Sequence, residues 1–345
     1  MRKSTVAVLL AALMLAVVPG STFRATAAEQ FVLKVAVPIP RTQEVAIEAK
    51  KYNDKLAAMT NNAVSVKIYW GGAAGDDVDV LRKMRAGQMD GAPLSLELMS
   101  QFVRQSLVLA SPALFNNYKQ VDAVRAALTP AMEKEAYDNG FKVMAWADIG
   151  RLRLLSKKPI ETLADFKKMR PWLYPQSEML KEFYKGVGAT GVPLGIAEVY
   201  GGLQTNMIDV VWGSALLAAA LQWHSGTQYI SQSGLGFISG GFVFRRGAWD
   251  ALPDNVKENM LKLTAERAQD NQLELRKQDE RSFQKLVQRG HIPVKAKNDK
   301  EWWDAGKALR ARMIGRVYTK DLVEKAEAIS LKYAEQPEEI AAAKH

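Results

Sequence analysis

Cysteine is absent from this 345-residue chain. That absence excludes a disulfide framework, a thiol nucleophile and the thiol that anchors a lipoprotein. Histidine is scarce: His224, His291 and His345 are the three, too scattered for a metal centre, and no H-E-x-x-H spacing joins any of them. There is no G-x-S-x-G elbow and no phosphate-binding P-loop. The glycines of GLGFISGG, residues 234–241, follow no strand-to-helix turn with a ribose-binding acid, so they make no dinucleotide fingerprint. Neither a cofactor nor a metal is expected, and no catalytic residue is assigned. One route to catalysis stays open, because WHSG places His224 beside Ser225 and an exported hydrolase could use that histidine as base; adjacency in sequence does not by itself make a hydrogen-bonded pair.

Long apolar runs are also lacking after the first residues, so no segment there is expected to span a membrane. The exception opens the chain. MRKSTVAVLLAALMLAVVPGSTFRATAA carries Arg2 and Lys3, an apolar run from Val6 to Val18, and small residues at its end, the pattern of a secretory signal peptide cleaved near Ala28. The expected location is the periplasm, without a lipid anchor. Loss of the leader removes three cations and no acids, which lowers the formal charge from +10 to +7. Such diffuse basicity, without clustered cations and interleaved aromatics, argues against nucleic acid. It suits an anionic small ligand or an anionic partner surface, and equally a plain solvated exterior.

What is present is alternation. FVLKVAV (31–37) and VSVKIYW (64–70) read as strands around a helix from about Thr42 to Met59, a βαβ unit. Helices near 76–86 and 118–139 and strands near 89–94 and 141–147 continue the pattern, which predicts an α/β sandwich. After Gly150 a second unit starts at RLRLLS. It continues through an extended segment at 170–174, helices near 177–186 and at IAEVYGGLQT, and a strand at 207–212. GLGFISGGFVFRRGAW (234–249) reads as a long strand returning to the first unit. From Pro253 to Arg289 there is no internal glycine or proline, Pro253 and Asp254 suit a helix start and Gly290 its end. At 1.5 Å per residue that helix would reach about 50 Å, longer than one lobe is wide. It therefore belongs to both lobes, unless it is a coiled coil or breaks near Asp270 and Asn271. The expected division is a signal peptide at 1–28, lobe I at 29–148 plus about 235–265, lobe II at 149–234 plus about 266–335, and a tail at 336–345.

The stretch DFKKMRPWLYPQ (165–176) holds the main candidate residues. Pro171 disfavours helix at Arg170, so the guanidinium is displayed from extended chain. Trp172 and Tyr174, two apart, share one face, where they wall a pocket or fill a core.

Several segments, in order, resemble the periplasmic solute-binding subunits of tripartite ATP-independent periplasmic (TRAP) transporters, the DctP-like family. They are AAGDDVDVLRKMRAGQMDGAP (73–93), SPALFNNYKQVDAV (111–124), LSKKPIETLADFKKMRPW (155–172) and GATGVPLGIAEVYGGLQTNMIDVVWG (188–213). The resemblance covers nearly the whole chain after the leader. It implies a two-lobed periplasmic binding protein that closes on an organic acid and delivers it to a small and a large membrane subunit; a periplasmic sensor would look the same. By this resemblance Arg170 is the arginine that forks onto the ligand carboxylate, with a structural ion pair to a nearby acid as the competing role. On that footing Arg170→Lys is expected to lose most acid binding. The chain is about two residues shorter than the family pattern between Asp165 and Arg170. A second carboxylate-binding arginine of the family falls on Leu152, flanked by Arg151 and Arg153. Gly213 stands, after Trp212, where sialic-acid binders carry asparagine, which implies a less hydroxylated ligand. Ser95 and the loop opened by Pro38 follow strands of the first lobe, where ligands of open α/β sheets collect, although Ser95 equally suits a helix cap.

Overall fold

A computed structural model describes residues 31–335, so the expected leader and tail lie outside the described residues. The first lobe begins with β1 (Phe31–Val37), α1 (Gln43–Met59), β2 (Val64–Trp70), α2 (Asp77–Arg85), β3 (Gly91–Ser95) and α3 (Leu96–Met99). A 3-10 turn at Arg104–Ala110, α4 (Tyr118–Asp138) and β4 (Phe141–Arg151) complete it. The chain crosses into β5 (Arg153–Ser156), α5 (Leu163–Lys167), β6 (Trp172–Leu173), α6 (Glu178–Val187), β7 (Val192–Pro193), α7 (Val199–Gln204), β8 (Val210–Gly213), α8 (Ala215–Ala220) and β9 (Tyr229–Ser231). It returns through β10 (Phe237–Arg245) and α9 (Arg246–Asp250) to α10 (Asp254–Gln288), and ends with β11 (Ile292–Val294), α11 (Asp299–Met313) and α12 (Lys320–Leu331).

Strand order separates two sheets. The first is β2-β1-β3-β10-β4, with β1, β2 and β3 parallel and β10 antiparallel to both its neighbours. The second is β11-β9-β5-β8, and the short parallel pair β6-β7 attaches to it through a bridge between Pro171 and Val210. The architecture is the mixed α/β, two-lobed one that the alternation implies. Local chemistry explains the boundaries. Asp76 accepts from the Asp79 N–H and caps α2, Asn117 and Gln120 form a capping box on α4, and Gly188 in the left-handed conformation ends α6. The strand expected at 234–249 is shorter, because Arg246–Asp250 turn into α9 with Trp249 buried. α12 packs against α4 of the first lobe, away from the lobe in which its sequence position had placed it.

The long helix forms without a break at Asp270 and Asn271. Its first half lies against the first lobe, burying Val256, Met260 and Leu263 with Leu33, Val35 and Trp249. Its last turns reach the second lobe, where Leu286 joins a core with Leu155, Trp172 and Trp223. Between these ends the helix is held by polar contacts. Asp148 of β4 is fully buried, and its carboxylate accepts from Arg125 (2.6 Å), Ser239 (2.8 Å) and Arg276 (2.5 Å). Arg276 also grips Asp122 and stacks over Tyr118. One turn on, Asp279 is 2% exposed and accepts the backbone N–H groups of Arg151 (3.1 Å) and Leu216 (3.0 Å). Burial raises its carboxyl above the usual range.

The two crossings beside the helix are paired as well. Leu152 donates to the Gly236 carbonyl and Leu235 to that of Leu152. Gly150, at φ +120°, is required at the tightest point, since a Cβ there would lie 2.2 Å from Asp279 Cγ. Asp279→Ala would leave two half-buried donors without this acceptor, at a cost of about 1–3 kcal/mol for each that water does not reach. It is expected to lower unfolding free energy accordingly in urea titrations. Gly150→Ala should also destabilise, and the double variant should cost less than the sum, because the new methyl and the carboxylate compete for one space.

Candidate functional site

Strands β1, β2 and β3 run parallel, so their carboxyl ends share one rim of the first sheet, and β6 and β7 present theirs from the second lobe. Asp77 and Ser95 stand on the first rim and Tyr174 on the second. The Tyr174 hydroxyl donates to Asp77 Oδ2 across the lobes. Tyr174 is held by its own lobe, 6% exposed with its ring centroid 6.0 Å from that of Trp172. Asp77 is not the cap of α2, a task done by Asp76, so one of its oxygens is left to face the other lobe.

Ser95 Oγ accepts from the Leu98 N–H at 3.4 Å and so caps α3. Burial raises the carboxyls of both Asp77 and Glu97, and each feels a neighbouring acid, Asp76 for the first and Asp77 for the second. Burial, with Asp77 and Glu97 nearby, pushes the Tyr174 phenol far above its ordinary value. The facing rims thus bring together two desolvated acids, a phenol and a serine. Asp77 and Glu97 were missed in the sequence; the available signal was GDDVD, where one aspartate suffices as a cap and the second is spare. Pro38 is exposed on the same rim, in a loop held near β2 by the Gly71 N–H, which donates to Val37 and Ile39 carbonyls.

The arginines are elsewhere. Arg170 is displayed on extended chain as its proline requires, but its fork is filled: Nε and Nη2 lie 2.8 and 2.7 Å from the two oxygens of Asp209. That is the competing structural role. The Arg170 side chain is 53% exposed, and the pair lowers the Asp209 pKa chiefly through this hydrogen bonding. Arg153 is 3% exposed, bound to the Ser231 and Gln232 carbonyls and stacked on Phe283 of α10, and burial lowers its pKa. Arg151 turns toward the Asn116 carbonyl and the rings of Tyr118 and Phe237. The two flank Leu152, where strand pairing changes partner from β10 to β8, so they diverge rather than sharing a face.

The aromatic candidates fill cores. Trp172 and Tyr174 do share a face, but the Trp172 indole N–H donates to the Leu194 carbonyl and its ring packs on Trp223. Trp212 donates to Tyr184 Oη (2.9 Å) inside a cluster with Phe166, Phe183 and Trp302. At Gly213 a Cβ would meet the Trp223 ring at 3.2 Å, so that backbone is packed against a side chain. His224 lies 3.1 Å from the Ala218 carbonyl, and Ser225 donates to Gln222; each is engaged apart from the other. Among the described residues no group of His, Asp and Glu is placed to hold a metal ion, and no helix is long and apolar enough to cross a membrane.

The sequence model of the family described as bacterial extracellular solute-binding protein, family 7 (DctP), matches residues 36–316. The C4-dicarboxylate-binding periplasmic protein DctP of Vibrio cholerae is 23% identical over 78% of this chain and 81% of its own length. The ectoine/5-hydroxyectoine-binding periplasmic protein UehA of Ruegeria pomeroyi is 22% identical over 66% of this chain and 67% of its own. A TRAP periplasmic solute-binding protein of Pseudomonas putida F1, solved with bound D-glucuronate, superposes with a TM-score of 0.79 at 19% identity, over 86% of this chain and 97% of that one.

Two outcomes test the site geometry. Arg170→Lys should leave solute affinity within about twofold of the parent, because an exposed ion pair contributes little and this one faces Asp209. A large loss in titration calorimetry would return Arg170 to the cleft. The second concerns pH. A carboxyl raised by folding stabilises the fold below its ordinary pKa and loses that contribution as pH rises through the raised value. Replacing Asp77 by Asn should therefore flatten the fall in stability as pH rises above the ordinary carboxylate range, read from melting curves of both proteins.

Proposed function

The chain belongs to the DctP family of extracellular solute-binding proteins, and from that premise we propose that it is the periplasmic receptor of a TRAP-type transporter, closing its two lobes on an organic acid and passing it to the two membrane subunits. The observation that carries the reading is the extent of the match. It runs from the end of β1 past α11, and so includes the second sheet, the first sheet but for most of β1, the paired crossings and all of α10. The parts that a closing receptor needs are inside it: two bodies, a hinge whose backbone groups stay bonded, and facing strand ends. Relatives whose names state binding of dicarboxylate or ectoine, and a structure with glucuronate, support a small carboxylate-bearing solute as the ligand class.

The leader read in the sequence supports export to the periplasm. The site residues of this reading are Ser95, Pro38, Tyr174, Asp77 and Glu97 on the facing rims. Arg170, Arg151, Arg153, Trp172, Trp212 and Gly213 serve it indirectly, by holding the second lobe and the hinge in shape. A library of organic acids, screened by thermal shift on the purified protein, is expected to contain at least one that stabilises it. A solute at a hundred times its dissociation constant stabilises by about 2.7 kcal/mol. Silence across mono- and dicarboxylates, uronates and cyclic amino acids would overturn the organic-acid reading.

A further inference from the structure

The contact between Tyr174 and Asp77 joins residues that are 97 positions apart and belong to different lobes. Each partner is aimed from its own side. The phenol ring is wedged beside Trp172, whose indole is fixed to the Leu194 carbonyl, so the hydroxyl projects from a rigid base. Asp77 has one oxygen on the Val78 N–H at 3.0 Å and turns the other outward. Helix α2 does not need this carboxylate, because Asp76 already accepts from the Asp79 N–H at 2.7 Å. An aspartate in the first turn of a helix, free of a capping duty, would ordinarily stay in water. Here it is desolvated against the opposite lobe.

We propose that the Tyr174–Asp77 hydrogen bond is an interlobe latch that positions the closed receptor and retains its solute. The proposal rests on the reading that the lobes close over a solute. Closure withdraws Asp77 from water near Asp76 and Glu97, which is unfavourable, and returns one hydrogen bond to an ionised acceptor, which is favourable. The two oppose each other, so closed and open forms lie close in free energy and a modest contribution from a bound solute tips the balance. Tyr174 and Asp77 are positioning residues: they act on how long the lobes stay together and need not touch the solute. Apparent affinity scales with the fraction of receptor able to close, so loss of the latch appears as faster release.

The absence of cysteine makes the test direct, because spin labels can be placed without a background thiol. Lys67→Cys on the first lobe and Lys185→Cys on the second are both exposed positions. In the unliganded protein a pulsed-dipolar distance distribution should show a closed population. Tyr174→Phe and Asp77→Ala should each deplete it, whereas Asp77→Asn, which keeps an acceptor oxygen, should retain more of it. Melting curves establish that each variant is folded; should Tyr174→Phe fail to fold, Asp77→Ala and Asp77→Asn on the other lobe still decide the matter. A closed population unchanged in Asp77→Ala, or equal loss in Asp77→Ala and Asp77→Asn, overturns the latch. With an acid found by screening, Tyr174→Phe should raise the dissociation rate about tenfold and leave the association rate within about twofold; the reverse split also overturns it. If no acid binds the parent, the receptor reading fails while the label distances still decide the latch.

Discussion

A carboxylate with no ion pair among the described residues, Asp279, accepts two backbone N–H groups at the place where the lobes meet, one from the end of β4 and one from the first turn of α8. Both lobes are thereby tied to the same side chain of the same helix. Burying such a group is costly unless its lone pairs are filled, and here the donors are backbone amides that cannot move without moving a strand or a helix. The contact sets the distance of α10 from the crossing and dictates a glycine at position 150. One turn earlier, Arg276 binds Asp148 and Asp122, so the middle of the helix is fixed by charge where its ends are fixed by apolar burial.

This arrangement holds the two lobes together as one molecule. The crossings are hydrogen-bonded to each other, and the third connection is a helix. A hinge of this kind bends at element ends, with small dihedral changes shared by several residues, and keeps its backbone groups paired. The facing rims are different in kind. Their groups are acids and hydroxyls drawn partly out of water, Asp77, Glu97, Ser95 and Tyr174, and the Tyr174–Asp77 hydrogen bond joins the two sides. Rigid chemistry at the crossings thus stands beside half-desolvated chemistry at the rims.

The cations show how position alters meaning. Arg170, Arg151 and Arg153 are all placed to look available in a linear reading. Each is engaged by the chain itself: Arg170 by Asp209, Arg153 by two carbonyls and a phenyl ring, although its buried Nε has no partner among the described residues, and Arg151 by a carbonyl and two rings. An arginine offers a fork of donors, and burial or a nearby carboxylate claims that fork before a ligand can.

The sequence by itself determined the elements and their order. β-branched alternation marked β1 and β2, and glycine and proline punctuation marked both ends of α10, because these signals act within a few residues. Short elements escaped, among them α8 and β9, since little more than one turn or three residues carry too little periodicity. The shared face of Trp172 and Tyr174 was legible from their spacing, and so was the extended backbone of Arg170. Which partner each would meet was not. Asp209 lies 39 positions from Arg170, Asp77 lies 97 from Tyr174 and Asp279 lies 128 from Arg151. Only the folded chain chooses among such distant partners, because hydrogen bonds and desolvation act over a few ångströms in space and carry no trace along the sequence.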